Sequence, residues 1–150
     1  MGDCGAARRR YRVLSLKVTF IDAGVLIAAS RGNTSVARRA LEILDDPNRS
    51  FASSVFVRLE VLPKAKFHKR ADEVSFYEDY FRSVDHWAEP GMTLVETALL
   101  LAQERGLSAL DSLHGAAALA VNASEIITTE RRDRPIHRLT QVKVTTIDSD

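Results

Sequence analysis

The segment "LKVTFIDAG", residues 16–24, carries the clearest fold signal in this chain of 150 residues. Residues 16–21 are mostly apolar and rich in β-branched side chains, which predicts a buried strand. The strand ends at Asp22, and Gly24 follows where "VLIAA" predicts a helical turn. An acid directly after an apolar strand and close to a glycine is more often part of a site than an ordinary strand end. Asp22 is therefore the first candidate functional residue.

Strand and helix patterns alternate along the rest of the chain. Further strands are predicted at 49–53, 125–129 and 142–147. Helical patterns cover 34–44, 54–62, 71–87, 92–105 and 108–122, with Gly106 at the C′ position of the fourth. Pro63 is expected to kink or end the second helix, although the segment "KAKFHKR", residues 64–70, could resume it. The alternation predicts an α/β layered fold with a mainly parallel sheet, in which ligands bind beyond the carboxyl ends of the strands.

Composition limits the possible classes of protein. Hydrophobic residues make up 45% and the formal net charge is +1, so any site for a polyanion has to be local. The single cysteine, Cys4, excludes an intramolecular disulfide framework and a cysteine-based zinc site. No apolar run approaches the roughly 18 residues of a membrane span. We expect a cytoplasmic protein with a flexible basic tail at 1–15, one domain at 16–150 and no membrane association.

Four carboxylates are predicted at the same edge of the sheet. Asp22 and Glu130 directly follow strands, Asp111 lies in the first turn of the 108–122 helix, and Glu60 lies on the helix after strand 49–53. Carboxylates that converge repel one another unless a cation with oxygen preference, such as Mg²⁺ or Mn²⁺, neutralises them. Such a site suits phosphoryl chemistry, because a metal lowers the pKa of a bound water and stabilises charge on the leaving oxygen.

Each of these acids also has a simpler interpretation. Ser108 and Asp111 have the S-x-x-D spacing of a capping box, so Asp111 could serve only to begin a helix. Glu60 could be one solvated residue on a helix face, and Glu130 could be a polar strand end. The conjunction of the four is stronger evidence than any one of them.

The order and spacing of the acids resemble those of the PIN-domain nucleases, including the VapC-type ribonuclease toxins of VapBC toxin–antitoxin systems. Successive acids are 38, 51 and 19 residues apart. The most specific segment is "LDSLHGAAALA", residues 110–120, which has an aspartate and then a histidine three residues later in a helix of small residues. "DAGVLIAA", residues 22–29, resembles the opening motif of the family. The resemblance extends over residues 16–148.

The resemblance implies a three-layer α/β/α PIN-like domain with a central, mainly parallel sheet and a Mg²⁺- or Mn²⁺-dependent endoribonuclease activity. It implies that Asp22, Glu60, Asp111 and Glu130 are the catalytic and metal-binding acids. Water would attack phosphorus in line and leave 5′-phosphate and 3′-hydroxyl ends. Thr128 matches a threonine whose hydroxyl helps to orient the first aspartate. PIN toxins usually dimerise and bind an antitoxin, so we expect an RNA substrate, a cognate antitoxin and a homodimer.

The chain departs from the family pattern in two places. The fourth acid is Glu130 where the family more often has aspartate, so Asp133 competes with it for that role. Ala23 and Gly24 stand where the family often has asparagine, serine or threonine. The glutamate at position 130 favours an alternative function, a catalytically weak PIN domain that acts as an RNA- or partner-binding module. A phosphotransfer receiver domain also has an aspartate after a strand, but its other acid and its lysine have no counterparts at the proper positions here.

Three further residues are candidates for contact with the substrate. Arg131 and Arg132 border the predicted acidic cluster, where basic side chains would suit an RNA backbone, although they could also belong to a solvated turn. His114 lies one turn from Asp111 and could contact substrate or metal, or simply pack against its helix neighbours.

Overall fold

The computed structural model describes residues 16–148, so the tail predicted at 1–15 lies outside the described residues. The five strands are β1 Lys17–Ile21, β2 Arg49–Ser53, β3 His86–Trp87, β4 Glu125–Thr128 and β5 Lys143–Thr146. The six α-helices are α1 Ala23–Arg31, α2 Ser35–Leu44, α3 Val55–Phe67, α4 Ala71–Ser83, α5 Met92–Arg105 and α6 Ala109–Ala120. A 3₁₀ helix spans Pro135–Arg138. None of the described helices has the length and apolar character needed to span a membrane.

The strands form one parallel sheet in the order β3-β2-β1-β4-β5. Parallel strands are joined by right-handed crossovers, which place α1–α4 on one face and α5–α6 on the other. Helix α1 packs against α2, α3 and α4, while α5 packs against α6. The predicted α/β/α architecture with a parallel sheet is therefore confirmed. The chain changes direction across the sheet between β1 and β4, which makes that position the topological switch point.

The central strands are buried on both faces, as expected for a parallel sheet with a helical layer on each side. Phe20 and Ile21 of β1 and Ile126 and Ile127 of β4 are almost completely inaccessible to solvent. Burial of an apolar side chain of this size stabilises the fold by roughly 1.5–3 kcal/mol. The two strands that meet at the switch point are thus stabilised by apolar burial.

A buried ion-pair cluster lies at the amino edge of the sheet. The Glu125 side chain, which is 3% exposed, lies 2.8 Å from Lys17 Nζ and 2.9 Å from Arg49 Nη1 and accepts a hydrogen bond from the hydroxyl of Thr145. Burial disfavours its charge, but these donors outweigh that effect and lower the pKa of Glu125 to about 2. The cluster links β1, β2, β4 and β5 at the edge opposite the candidate site.

One helix continues past a proline, which the sequence left open, and another ends earlier than predicted. Pro63 does not end α3, which continues to Phe67. Pro63 is exposed, so the Leu59 carbonyl that it leaves without an amide partner is accessible to hydration. The helix predicted over 71–87 ends at Ser83. His86–Trp87 instead pairs with β2. The prediction missed this strand because the helical spacing of apolar residues gives no sign of a two-residue edge strand.

Three helices begin with a side-chain cap, and a fourth ends at a glycine. The side chains of Thr34, Ser54 and Ser108 accept hydrogen bonds from backbone amides in the first turns of α2, α3 and α6. Gly106 ends α5 in the left-handed conformation with φ 64°, which a residue with a Cβ rarely adopts. The cap at Ser108 fixes the start of the helix that carries Asp111.

Candidate metal centre

Asp22 lies at the carboxyl end of β1, at the switch point. Its backbone amide donates to the Ile127 carbonyl of β4 at 3.0 Å. Its Oδ1 accepts from the Ala23 amide at 2.8 Å, as an N-cap of α1, and its Oδ2 accepts from the Thr128 hydroxyl at 2.8 Å. Both carboxylate oxygens are therefore oriented by neighbours on β1, α1 and β4.

Gly24 allows the end of β4 to approach the first turn of α1. A Cβ at Gly24 would lie 2.3 Å from the Thr129 hydroxyl oxygen, which is closer than non-bonded atoms approach one another. The family's usual side chain soon after the first aspartate is absent here, and the Thr129 hydroxyl occupies the adjacent space. This departure from the family pattern therefore has a local packing reason.

Glu60 reaches the same edge from the second turn of α3. Its Oε1 is hydrogen-bonded to Nε2 of His114 on α6. That nitrogen also lies 3.9 Å from Asp22 Oδ1. One ligand atom from each of Asp22, Glu60 and His114 lies within 4.8 Å of the other two. The structure thus brings three elements together around a space of the size of a metal centre.

Asp111 lies in the first turn of α6, with its amide donating to the Ser108 hydroxyl at 3.2 Å. The reciprocal bond of a capping box, from the Ser108 amide to the Asp111 carboxylate, is not formed between these two described residues. Burial raises the pKa of Asp111, and the negative charge of Asp22 raises it further, with a smaller contribution from Glu130. The Asp111 carboxylate therefore belongs to the same electrostatic cluster.

The charges of this cluster are poorly compensated. Burial is the main reason that the pKa of Asp22 is raised, and the nearby charge of Glu60 adds to it. His114 and the Thr128 hydroxyl act in the opposite direction without cancelling the rise. Burial makes the charged form of these carboxylates unfavourable. A hard divalent cation, which prefers carboxylate oxygens, would stabilise that charged form. The residues present fit such an ion.

Glu130 lies at the margin of the cluster. Its side chain is 48% exposed, with Oε2 3.5 Å from Arg134 Nε, and its amide donates to the Thr128 hydroxyl at 3.1 Å. Asp133 is exposed on the following turn. The negative charge of Glu130, which lies on this loop, raises the pKa of Asp111.

The proposed substrate-binding residues lie in different environments. Arg131 and Arg132 are exposed beside Glu130, and Arg132 lines a surface depression with His137 and Lys143. His114 is 2% exposed and lies beneath the carboxylates, with its ring centroid 5.9 Å from that of Phe20. The structure therefore leaves the two arginines accessible to a large ligand and places the histidine inside.

The family model described as "PIN domain" matches residues 19–139 of the chain. The chain belongs to the PIN domain family. This confirms the family expected from the sequence, and PIN domains are generally nucleases. The matched region includes all four predicted acids as well as Thr128.

Solved structures share the fold of this PIN domain. VapBC2 from Rickettsia felis, bound to a promoter DNA fragment, is 15% identical with a TM-score of 0.65 and covers 86% of this chain and 98% of its own. A toxin–antitoxin complex from Klebsiella pneumoniae is 22% identical with a TM-score of 0.60, covering 77% and 88%. VapBC-1 from nontypeable Haemophilus influenzae is 16% identical with a TM-score of 0.61, covering 87% and 98%. Comparison with curated protein sequences gave no match.

Two features of this PIN domain were not foreseen from its sequence. The pairing of His114 with Glu60 joins residues 54 positions apart, on helices from opposite sides of the sheet. The position of His114, one turn after Asp111, was the only sequence feature that indicated a role for His114 near the acids. The contact of Gly24 with Thr129 was signalled only by the unusual glycine.

Proposed function

We propose that this PIN domain is a metal-dependent endoribonuclease that hydrolyses RNA phosphodiester bonds and serves as the toxin of a type II toxin–antitoxin pair. The observation that carries the proposal is the meeting of the Asp22 and Glu60 carboxylates beside His114, with Asp111 near enough for the charge of Asp22 to raise its pKa. The raised pKa values of Asp22 and Asp111 support it, because burial and, to a lesser degree, neighbouring carboxylates oppose the charged forms that a bound cation would stabilise.

Asp22, Glu60, Asp111 and Glu130 would hold Mg²⁺ or Mn²⁺, with Glu130 favoured over Asp133 because its charge acts on Asp111. A bound divalent cation would lower the pKa of a water molecule and stabilise charge on the leaving oxygen. Thr128 donates to Asp22 and accepts a hydrogen bond from the Glu130 amide, so one hydroxyl links the ends of β1 and β4. Oriented carboxylates reduce the reorganisation needed when charge develops.

The RNA backbone would lie across the exposed loop after β4. Arg131 and Arg132 are exposed there, and cationic side chains beside a cluster of acids would hold the phosphates that the acids repel. Such contacts bind the backbone without reading base sequence. Neutralising both arginines should weaken RNA binding and reduce its dependence on salt.

The proposed partners are an antitoxin and a second copy of this chain. The structures from Rickettsia felis, Klebsiella pneumoniae and Haemophilus influenzae are described as VapBC or toxin–antitoxin assemblies. Several large apolar side chains are exposed on α3 and α5: Leu59, Phe67, Met92, Leu99 and Leu100. Exposed apolar groups concentrated on two helices support binding to other proteins. An RNA target and an antitoxin partner both imply action in the cytoplasm.

The proposal is tested by measuring Mn²⁺ binding by calorimetry together with cleavage of end-labelled RNA. Asp22→Asn should abolish cleavage and weaken Mn²⁺ binding, while the exposed Asp133→Asn should resemble the wild type. Glu130→Gln should lower cleavage more than Asp133→Asn does. Absence of Mn²⁺ binding by the wild-type protein would rule out the proposed activity.

One observation favours a second candidate, a catalytically weak PIN domain that binds RNA or a partner. Glu130 is half-exposed and lies near Arg134, so it is less tightly organised than Asp22. If the wild-type protein binds Mn²⁺ and RNA but leaves the RNA intact in the presence of metal, this second function is favoured. Cleavage that is lost in Asp22→Asn favours the nuclease.

A further inference from the structure

The two ring nitrogens of His114 lie in opposite environments. Nε2 is hydrogen-bonded to Glu60 Oε1 and faces Asp22 Oδ1 at 3.9 Å. Nδ1 is buried and has no hydrogen-bond partner within residues 16–148. The ring as a whole is 2% exposed and packs near Phe20. The surroundings therefore distinguish the two nitrogens clearly.

This asymmetry decides which nitrogen carries the proton. A proton on Nδ1 would be a buried donor without an acceptor, which costs about 1–3 kcal/mol. A proton on Nε2 is directed at carboxylate oxygens, which are the strongest acceptors available. The tautomer protonated at Nε2 is consequently the one that fits the pocket.

The same asymmetry argues against direct coordination of a cation by His114. Coordination through Nε2 requires a lone pair there and therefore a proton on Nδ1. Metal-binding histidines almost always donate that second N–H to a carboxylate, a carbonyl or water. His114 has no such acceptor among the described residues. Its proximity to Asp22 and Glu60 is better explained by donation.

We propose that His114 is a positioning residue, which holds Glu60 by donating from Nε2–H and does not bind the metal itself. This inference rests on the proposed function only in taking Glu60 as a metal ligand. Donation to Oε1 fixes the rotation of the Glu60 carboxylate and leaves Oε2 for a cation. It also ties α3 to α6, the two helices that carry Glu60 and Asp111.

The segment of α6 next to His114 is closely packed. Gly115 follows His114 in α6, and a Cβ there would meet Leu139 at 3.1 Å and Leu101 at 3.3 Å. This part of α6 is therefore packed closely against neighbouring elements and has little freedom to turn. A donor on such a rigid helix keeps its direction, which is what positioning of a ligand requires.

The tautomer can be read directly by ¹⁵N NMR of the protein labelled in its histidines, without any metal. The His114 signals are assigned by their loss in His114→Gln. At a pH at which the ring carries a single proton, we expect that proton on Nε2, both before and after addition of Mg²⁺. A ring protonated only at Nδ1, or loss of the Nε2 proton when Mg²⁺ binds, would overturn the proposal.

Metal affinity provides the second measurement. In His114→Gln the side-chain amide stands near the position of Nε2 and still donates, so Mn²⁺ affinity should stay within a few-fold of wild type. His114→Leu removes the donor and should weaken Mn²⁺ binding by about 10- to 100-fold, the usual effect of losing a residue that orients a ligand. In His114→Asn the amide stands near Nδ1, so this variant should behave like His114→Leu. Equal losses in His114→Gln and His114→Leu would contradict the donor role.

The two measurements separate this inference from the proposed function. If the wild-type protein binds no Mn²⁺, the nuclease proposal fails, yet the NMR experiment still decides whether His114 donates through Nε2. If Mn²⁺ binds but the proton lies on Nδ1, the nuclease proposal stands and the positioning role is wrong. His114→Gln keeps a polar side chain in the pocket. It therefore serves as a control if His114→Leu misfolds.

Discussion

Thr128 Oγ1 donates a hydrogen bond of 2.8 Å to Asp22 Oδ2 and accepts the Glu130 amide at 3.1 Å. One hydroxyl thereby connects the acid after β1 with the acid after β4. These strands are neighbours in the sheet but are separated by more than 100 residues along the chain. The candidate site consequently depends on correct pairing of β1 with β4.

Thr128→Val should weaken Mn²⁺ binding about tenfold, because Asp22 loses the donor that orients it. The fold should lose about 1–2 kcal/mol, since the valine leaves a partly buried carboxylate without one hydrogen bond. Calorimetry and urea unfolding measure the two effects. Thr128→Ser keeps the hydroxyl and should retain most of the metal affinity. If Thr128→Ser loses as much Mn²⁺ affinity as Thr128→Val, packing explains the effect better than hydrogen-bond donation.

Asp22→Asn should raise the thermal stability of the metal-free protein while removing its stabilisation by Mn²⁺. The pKa of Asp22 is raised in the folded state, chiefly by burial, so the ionised carboxylate opposes folding above that pKa. Protonation as the pH falls through the folded-state pKa relieves this, and the advantage of the asparagine variant should shrink at acidic pH. Thermal unfolding with and without Mn²⁺ across pH is the measurement. A metal-free variant less stable than wild type at neutral pH would refute the prediction.

Glu125→Gln should destabilise the protein by about 2 kcal/mol at neutral pH, allowing for solvent around the partly exposed lysines that pair with Glu125. The folded pKa of about 2 lies below the ordinary value of 4.5, so the stabilisation is present above pH 4.5 and is lost as pH falls toward 2. The wild-type and variant curves should therefore converge in acid. Chemical unfolding at several pH values gives both curves, and Glu104→Gln, on the exposed face of α5, should show no comparable effect.

Gly24→Ala should destabilise the protein by about 1–3 kcal/mol, because its Cβ would overlap the Thr129 hydroxyl oxygen. Thr129→Ala removes that oxygen, so the double variant should be more stable than the sum of the single effects implies. Gly32→Ala is the matched control, since its Cβ would have no atom closer than 3.6 Å. Additive effects of the Gly24 and Thr129 changes in urea unfolding would show that the contact is not responsible.

The local pattern of the sequence was sufficient for most of the fold. Alternating apolar strands and capped helices predicted a parallel α/β sheet, and the acids after strand ends predicted which edge of the sheet carries the site. The end of α4 was not predictable in this way, and whether α3 continues past Pro63 stayed open. Both depend on neighbours, namely the pairing of β3 with β2 and the solvent exposure of Pro63.

By itself, the sequence determined the order of the elements, the family and a set of candidate acids, because strand periodicity, capping and motif spacing are local properties of the chain. The tertiary structure alone decided how those acids are held. His114 meets Glu60 because α3 and α6 converge at the carboxyl edge, and Glu125 is an ion-pair centre because four strands bring its partners to the amino edge. Such contacts join distant residues, and their geometry is set by packing of the sheet and helices, which local patterns do not encode.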